Sequence, residues 1–109
     1  MEMKDIPFGI TDWGKIEKVE HKGEHGTSFW KTREFGNIRI RIVEYSPGYV
    51  ADHWCSKGHI LFCLEGELST ETKDGQKHTL KPGMSYQVAD NDMPHRSSTK
   101  TGAKLFIVD

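Results

Sequence analysis

Segment 38–42, with the sequence IRIRI, alternates strictly between apolar and charged side chains. Successive side chains of a β-strand point to opposite faces, so this alternation is typical of a strand that buries one face. Similar short stretches follow along the chain, separated by turn signals such as Asp74-Gly75 and Pro82-Gly83. Because no stretch has a convincing helical pattern, the sequence predicts an all-β fold of the sandwich or barrel type.

The predicted strands are short, and turns separate them. They cover residues 27–31, 38–42, 60–64, 68–73, 76–80, 86–89 and 104–108. A chain of 109 residues is typical of one domain, so we predict a single domain over residues 1–109, with residues 1–12 as a candidate N-terminal arm. A second copy could cover an open edge strand, and this favours a homodimer.

Composition excludes several classes of partner. The chain carries 15 Lys and Arg against 16 Asp and Glu, and its formal net charge is −1. Without a basic excess to neutralise phosphates, nucleic acid is not expected as a partner. The longest wholly apolar run, residues 60–64, is far shorter than the roughly 20 residues of a membrane-spanning helix. The polar N-terminus predicts no signal peptide, and the two cysteines favour a cytoplasmic protein with free thiols.

Three metal-ligand side chains stand close together before the apolar run. His53 and Cys55 are two residues apart, so on a strand they share a face. The tripeptide 56–58, SKG, fits a three-residue hairpin loop, which would pair Cys55 with His59 at about 5 Å between Cβ atoms. Imidazole and thiolate ligands suit zinc, copper or nickel. The alternative interpretation is that these are ordinary polar residues of a strand.

The spacing of these residues resembles the first motif of the cupin superfamily, G(x)5HxH(x)3-4E(x)6G. With one residue fewer between the first glycine and the first histidine, the motif positions are matched, in order, by Gly48, His53, Cys55, His59 and Gly66. Cysteine therefore stands in place of the second histidine, and histidine stands in place of the glutamate. The block Asp52-His53-Trp54-Cys55 also resembles the one that names a small bacterial group, the DHCW-motif cupins.

A second segment resembles the later part of the second cupin motif, G(x)5PxG(x)2H(x)3N. Residues 90–95 read DNDMPH, and His95 takes the position of the motif histidine. The resemblance implies a small antiparallel β-barrel of jelly-roll (cupin) type with one metal ion inside. Carried over position by position, it implies the ligands His53, Cys55, His59 and His95.

The implied ligand set favours zinc among the divalent transition metals. Iron sites that activate oxygen usually combine two histidines with one carboxylate, and this set has no carboxylate. Nickel, copper and iron remain alternatives. If Cys55 is a ligand, three histidines and one thiolate complete a closed tetrahedral site. If it is not, a water molecule can take the fourth position, as in catalytic zinc sites.

These observations predict a metal-binding cupin that binds or transforms a small molecule in its barrel by Lewis-acid chemistry. The sequence reveals no general base, so the alternative is a non-catalytic module that binds or senses a small ligand, with a structural metal or none. Arg39 and Arg41 would hold an anionic substrate if they point into the barrel, or form a solvated face if they do not. Tyr86 would line the mouth of the cavity or belong to the core.

Overall fold

The computed structural model describes residues 2–109, and antiparallel strands dominate it. In chain order the strands are β1 (Val19–Lys22), β2 (Thr27–Phe35), β3 (Ile38–Tyr45), β4 (His59–Gly66), β5 (Leu68–Thr72), β6 (Lys77–Leu80), β7 (Ser85–Val88), β8 (His95–Ser98) and β9 (Ala103–Val108). A three-residue 3-10 helix, Trp13–Lys15, precedes them, and the Asp12 carboxylate accepts a hydrogen bond from the Gly14 backbone N–H. The predicted all-β class is confirmed.

The strands form two antiparallel sheets. One has six strands in the order β1-β2-β3-β9-β4-β7, and the other has three in the order β6-β5-β8. Placing β9 between β3 and β4 brings the end of the chain into the middle of the larger sheet. Within residues 2–109, hydrogen-bonded ladders do not join the two sheets into a closed barrel. The jelly-roll architecture is as predicted, but closure of the barrel is not observed.

The core lies between the sheets and follows from the alternation of side chains. Alternate residues of β4 and β9 are buried along most of each strand, because those side chains point to the inner face. The buried apolar cluster consists of Val43, Leu61, Cys63, Leu68, Leu80, Ala103, Leu105 and Ile107. The inner face of β3 continues this cluster with a charged residue, Arg41, which is also buried.

All seven predicted strands are present, and two further strands lie where none was predicted. β1 has the sequence VEHK and all four of its residues are exposed, so it has no buried face to give an alternating pattern. β8 has the sequence HRSS, and its buried positions carry polar residues, His95 and Ser97. Hydrophobic periodicity cannot reveal either strand.

The predicted hairpin across residues 56–58 is wrong. Strand β4 pairs with β9 on one side and with β7 on the other, so neither of its edges is free to accept the preceding segment. His59 lies opposite Val88, and Cys55 instead forms an isolated antiparallel bridge with His95 of β8. The candidate ligands therefore meet through a pairing between distant parts of the chain.

Helices account for very few of residues 2–109. Among residues 2–109, no helix has the length and apolar character that a membrane crossing requires.

Candidate metal centre

Cys55, His59 and His95 converge at one point between the two sheets. Each offers one ligand atom, and these atoms all lie within 4.8 Å of one another. The backbones of Cys55 and His95 exchange two hydrogen bonds, of 2.8 and 3.0 Å. Directly paired residues of antiparallel segments present their side chains to the same side. This bridge therefore places the Cys55 thiol beside the His95 ring.

Gly58 allows the chain to bring His59 to the same point. A Cβ atom at position 58 would lie 2.5 Å from the Asp90 backbone nitrogen and 2.7 Å from the Ala89 carbonyl carbon. Only glycine permits so close an approach between the start of β4 and the segment after β7. The Gly58 backbone N–H also donates to the Asp90 carboxylate at 2.7 Å. This contact fixes the residue before His59 against the neighbouring segment.

The Nε2 atoms of the His59 and His95 rings lie 3.1 Å apart. His95 Nδ1 lies 2.9 Å from the Met93 carbonyl oxygen. A carbonyl can only accept a hydrogen bond, so Nδ1 carries the proton in this contact. In the neutral ring the Nε2 atom then holds a free lone pair. His95 thus presents the ligand-competent nitrogen to the centre of the group.

His59 is neutral near pH 7. Burial lowers its pKa to about 4, and the charge of nearby His95 acts in the same direction. Its Nδ1 is buried and has no hydrogen-bond partner among residues 2–109; the Asp109 Oδ2 atom lies 3.8 Å away. Its Nε2 lies 3.0 Å from the Tyr86 hydroxyl. An Nδ1 proton directed towards the Asp109 carboxylate would leave Nε2 free to bind a metal.

The Cys55 thiol lies in surroundings that favour the thiolate. The His95 imidazole beside it lowers the pKa of Cys55, although partial burial opposes this effect. The same interaction with Cys55 raises the pKa of His95, again against the effect of burial. A thiolate is the form of cysteine that binds metals. Cys63, by contrast, lies fully buried in the apolar core, where burial raises the pKa of its thiol.

This donor set fits a transition metal ion. Two imidazole nitrogens and a thiolate suit zinc, copper or nickel. Two nitrogens bound to one tetrahedral metal at about 2.0–2.1 Å would lie about 3.3 Å apart. The observed Nε2–Nε2 distance of 3.1 Å is close to that value.

His53, the fourth predicted ligand, is not part of this close group. A bend at residues 52–53 turns the chain, and the His53 side chain is 72% exposed. Its Nδ1 lies 2.6 Å from the Asp52 carboxylate. His53 nevertheless lines the same cavity as Cys55, His59 and His95. Its role as a ligand stays a prediction.

The metal-ligand group opens into a cavity of about 280 Å³. Besides the group itself, its walls include Trp30, Arg39, Arg41, Lys57, Tyr86 and Asp109. Arg39 and Arg41 therefore point inwards, and Arg41 is only 6% exposed. Of the two interpretations of these arginines, the structure favours the inward one. Tyr86 lines the cavity and also packs against the apolar core with its hydroxyl on His59, so both of its interpretations apply.

Asp109 belongs to this cavity, and the sequence interpretation missed it. Its carboxylate accepts hydrogen bonds from Arg39 Nε and Nη2 at 2.9 and 3.0 Å and from Arg41 Nη2 at 2.9 Å. Burial alone would raise the pKa of Asp109, but the contacts with these guanidinium groups hold it below its ordinary value. The sequence does contain a signal: Asp109 continues the inward alternation of Leu105 and Ile107.

A second cavity, of about 500 Å³, lies on the other side of the group. His95 and Tyr86 line both cavities, whereas the remaining wall of the second one includes Leu80, Met84 and Met93. The candidate metal centre thus lies between two cavities, of which only the first has Arg and Lys side chains in its wall.

Comparison with solved structures shows which fold this arrangement belongs to. A predicted oxalate decarboxylase from Thermotoga maritima matches with a TM-score of 0.79 and 13% identity, over 92% of this chain and 96% of the other. An RmlC-like cupin from Shewanella frigidimarina matches with a TM-score of 0.73 and 18% identity, over 95% and 91%. An Fe(II) form of HppE with an alternative substrate matches with a TM-score of 0.77 and 17% identity, over 94% of this chain and 60% of the other.

These similarities establish the cupin fold. No protein-family model and no curated protein matches the sequence. Residues 52–55 read DHWC, so the last two residues stand in exchanged order relative to the name of the DHCW-motif group. Membership of that narrower group stays a prediction.

Proposed function

We propose that this cupin-fold protein binds one divalent transition metal ion and uses it to bind or transform a small molecule between its sheets. Cys55, His59 and His95 are the proposed ligands in this function, which leaves the fourth position to water or a small molecule, and His53 is the proposed fourth ligand in the second candidate function below. The observation that carries the proposal is the convergence of one ligand atom from each of Cys55, His59 and His95 to within 4.8 Å. The structural neighbour HppE, which was solved in an Fe(II) form, supports it.

Zinc is the proposed metal. The close group contains a thiolate and two imidazoles but no carboxylate, and this set is typical of zinc rather than of oxygen-activating iron. A thiolate beside activated oxygen would also be prone to oxidation. Nickel, copper and iron are the alternatives that metal analysis would distinguish.

The side chains around the proposed metal position form a polar environment that is shielded from solvent. A bound metal would supply Lewis-acid chemistry, by polarising a carbonyl group or activating water. His95 is oriented by the Met93 carbonyl, and His59 lies between the Tyr86 hydroxyl and the Asp109 carboxylate. The Tyr86 hydroxyl lies 3.0 Å from His59 Nε2 and therefore borders the proposed metal position. Burial raises the pKa of Tyr86, which keeps this hydroxyl protonated near pH 7.

A second candidate function is a non-catalytic module that binds or senses a small ligand. His53 lines the same cavity as the close group, so a rotation of its exposed side chain could bring a fourth ligand to the ion. A closed four-ligand site leaves no position for substrate. The number of protein ligands therefore distinguishes the two functions.

We also propose that the protein acts as a homodimer. Ile60, Phe62 and Leu64 of β4 point to the outer face and are exposed, and Phe62 lies opposite Phe106 of β9. Apolar side chains on adjacent strands are typical of a surface that a second copy covers. Residues 1–109 would form one cupin domain, with residues 1–12 as an arm.

The proposed setting is the cytoplasm, where the thiols of Cys55 and Cys63, both free in this structure, would stay reduced. The proposed partner is a small molecule rather than nucleic acid or a membrane, because the net charge of −1 offers no basic excess.

Elemental analysis tests the proposed function directly. Untagged protein, purified without chelators, should contain about one transition metal ion per chain, since there is one ligand group. Zinc should predominate. A content below about one tenth of an ion per chain, in protein incubated with zinc and then desalted, would contradict the proposal.

A further inference from the structure

Arg41 is a buried cation with unused hydrogen-bonding capacity. It is 6% exposed, and it lines the cavity of the candidate metal centre. Its Nη2 donates to Asp109 at 2.9 Å, but its Nε is buried and has no partner among residues 2–109. A buried donor without a partner costs free energy, and it is normally satisfied by a ligand or by water. The Nε–H group of Arg41 can thus donate a hydrogen bond to a ligand.

The charges around Arg41 leave a positive excess. Arg39 and Arg41 share the single carboxylate of Asp109, so the three side chains together carry one net positive charge. Arg96 also lines the cavity, but Glu24 and Glu71 lie 3.7 and 3.8 Å from it. Asp109 is the one acidic side chain of residues 2–109 in the cavity wall, to which Lys57 adds a further positive charge, while Glu34 lies opposite Arg39 outside that wall. The wall therefore carries a positive excess that favours an anionic ligand.

The arginine pair lies next to the candidate metal centre. The Asp109 Oδ2 atom is 2.9 Å from Arg41 Nη2 and 3.8 Å from His59 Nδ1. A molecule bound at Arg41 would therefore place its neighbouring atoms towards the His59 side of the cavity. The volume of about 280 Å³ limits the ligand to a small molecule.

From this geometry we propose that Arg39 and Arg41 form a subsite for the carboxylate of a small carboxylic acid. The inference rests on the proposed metal-dependent function, because the candidate metal centre is the group that would receive the rest of the molecule. Arginine binds planar carboxylates in a bidentate manner, and Arg39 already binds Asp109 in this way. The planar guanidinium groups match a planar carboxylate, which is also the group that they hold at Asp109.

Calorimetry with defined probes tests the subsite. The probes are lactate, pyruvate and benzoate, with lactamide and benzamide as neutral counterparts and inorganic phosphate as the competing anion. At least one carboxylate should bind, and its amide should bind at least about tenfold more weakly. Arg41→Lys keeps a positive charge opposite Asp109 but removes the Nε donor, and it should weaken carboxylate binding by about tenfold or more. Arg39→Lys, at a more exposed position, should also weaken carboxylate binding. It keeps the test decisive if Arg41→Lys does not fold.

Arg33→Lys provides the matched control. Arg33 lies opposite Ile40 in the β2–β3 register, one residue away from the positions of Arg39 and Arg41 and therefore on the other face of the sheet. This variant should bind carboxylates as the wild type does. Unchanged binding in both folded cavity variants, no carboxylate binding up to about 10 mM, or a preference for phosphate would overturn the subsite.

Metal content is measured on every sample, so the two proposals can fail separately. Arginine-dependent carboxylate binding by protein that takes up no metal would support the subsite and contradict the proposed function. Protein that holds one metal ion per chain but binds no carboxylate would support the proposed function and contradict the subsite.

Discussion

His59 and His95 are 36 residues apart in the sequence, yet their Nε2 atoms lie 3.1 Å from each other. One histidine begins β4 of the six-stranded sheet, and the other begins β8 of the three-stranded sheet. If both nitrogens bind the same ion, His59→Ala and His95→Ala should each lower metal affinity by at least about tenfold. Competition with a chromophoric chelator measures this affinity.

His25→Ala is the matched control for these variants. His25 is exposed and lies outside the close group of ligand atoms, so its removal should leave metal affinity unchanged. Retained affinity in both the His59 and His95 variants would show that the ligands are assigned wrongly.

The roles of Cys55 and His53 can be separated by spectroscopy. In cobalt-substituted protein, a Cys55 thiolate ligand should give a sulfur-to-cobalt charge-transfer band, and Cys55→Ser should abolish it. His53→Ala should leave this band in place, because the band arises from the bond between cobalt and the Cys55 thiolate. If Cys55→Ser retains the wild-type spectrum and His53→Ala does not, the thiol is not a ligand. The better assignment is then His53, His59 and His95.

Asp109 should contribute strongly to folding stability. Its side chain is fully buried, and Asp109→Ala would leave two guanidinium groups without their shared carboxylate. We expect a loss of about 3 kcal/mol in the free energy of unfolding, as for other broken buried ion pairs. Urea denaturation measures it, and Glu17→Ala, at an exposed acidic residue, should cost less than about 0.5 kcal/mol.

The contribution of Asp109 should depend on pH with a defined sign. Its folded-state pKa is depressed, so the stabilisation is fully present above the ordinary aspartate pKa of about 3.9 and declines as pH falls through the lower folded value. The stability difference between wild type and Asp109→Ala should therefore be constant near neutral pH and shrink in acid. A difference that grows on acidification would contradict this assignment.

The outer face of β4 provides a test of the proposed dimer. Phe62→Glu places a charge among exposed apolar side chains, so it should convert a dimer to a monomer in light scattering after gel filtration. Val19→Glu makes the same kind of change on β1, at the opposite side of the six-stranded sheet, and should leave the dimer intact. A wild-type protein that is monomeric at all concentrations would exclude the dimer.

The sequence predicts the sheets of this protein better than it predicts their pairings. The alternation in β3 and the turn at Asp74-Gly75 are local features, and both appear where they were predicted. The pairing of Cys55 with His95 joins residues that are far apart, and no spacing within segment 53–59 contains it. A local hairpin was therefore the natural but wrong hypothesis, and His95 entered only through resemblance to the cupin motif.

Buried charge explains what else the sequence could not reveal. Arg39, Arg41 and Asp109 all continue the inward alternation of their strands, yet an isolated charged residue is more often solvated. Only the register between β3 and β9, which brings opposite charges together, makes their burial tolerable. Such a register depends on the whole topology rather than on local periodicity.

The open join between the two sheets gives the candidate metal centre a mechanical role. His59 is anchored in the larger sheet and His95 in the smaller one, while hydrogen-bonded ladders leave those sheets separate within residues 2–109. An ion held by both rings would add a cross-link between two layers that are otherwise joined by side-chain packing and by isolated backbone bridges at Val50 and Cys55. Occupancy of the site would then govern how far the layers can move apart, and thereby which molecules can enter between them.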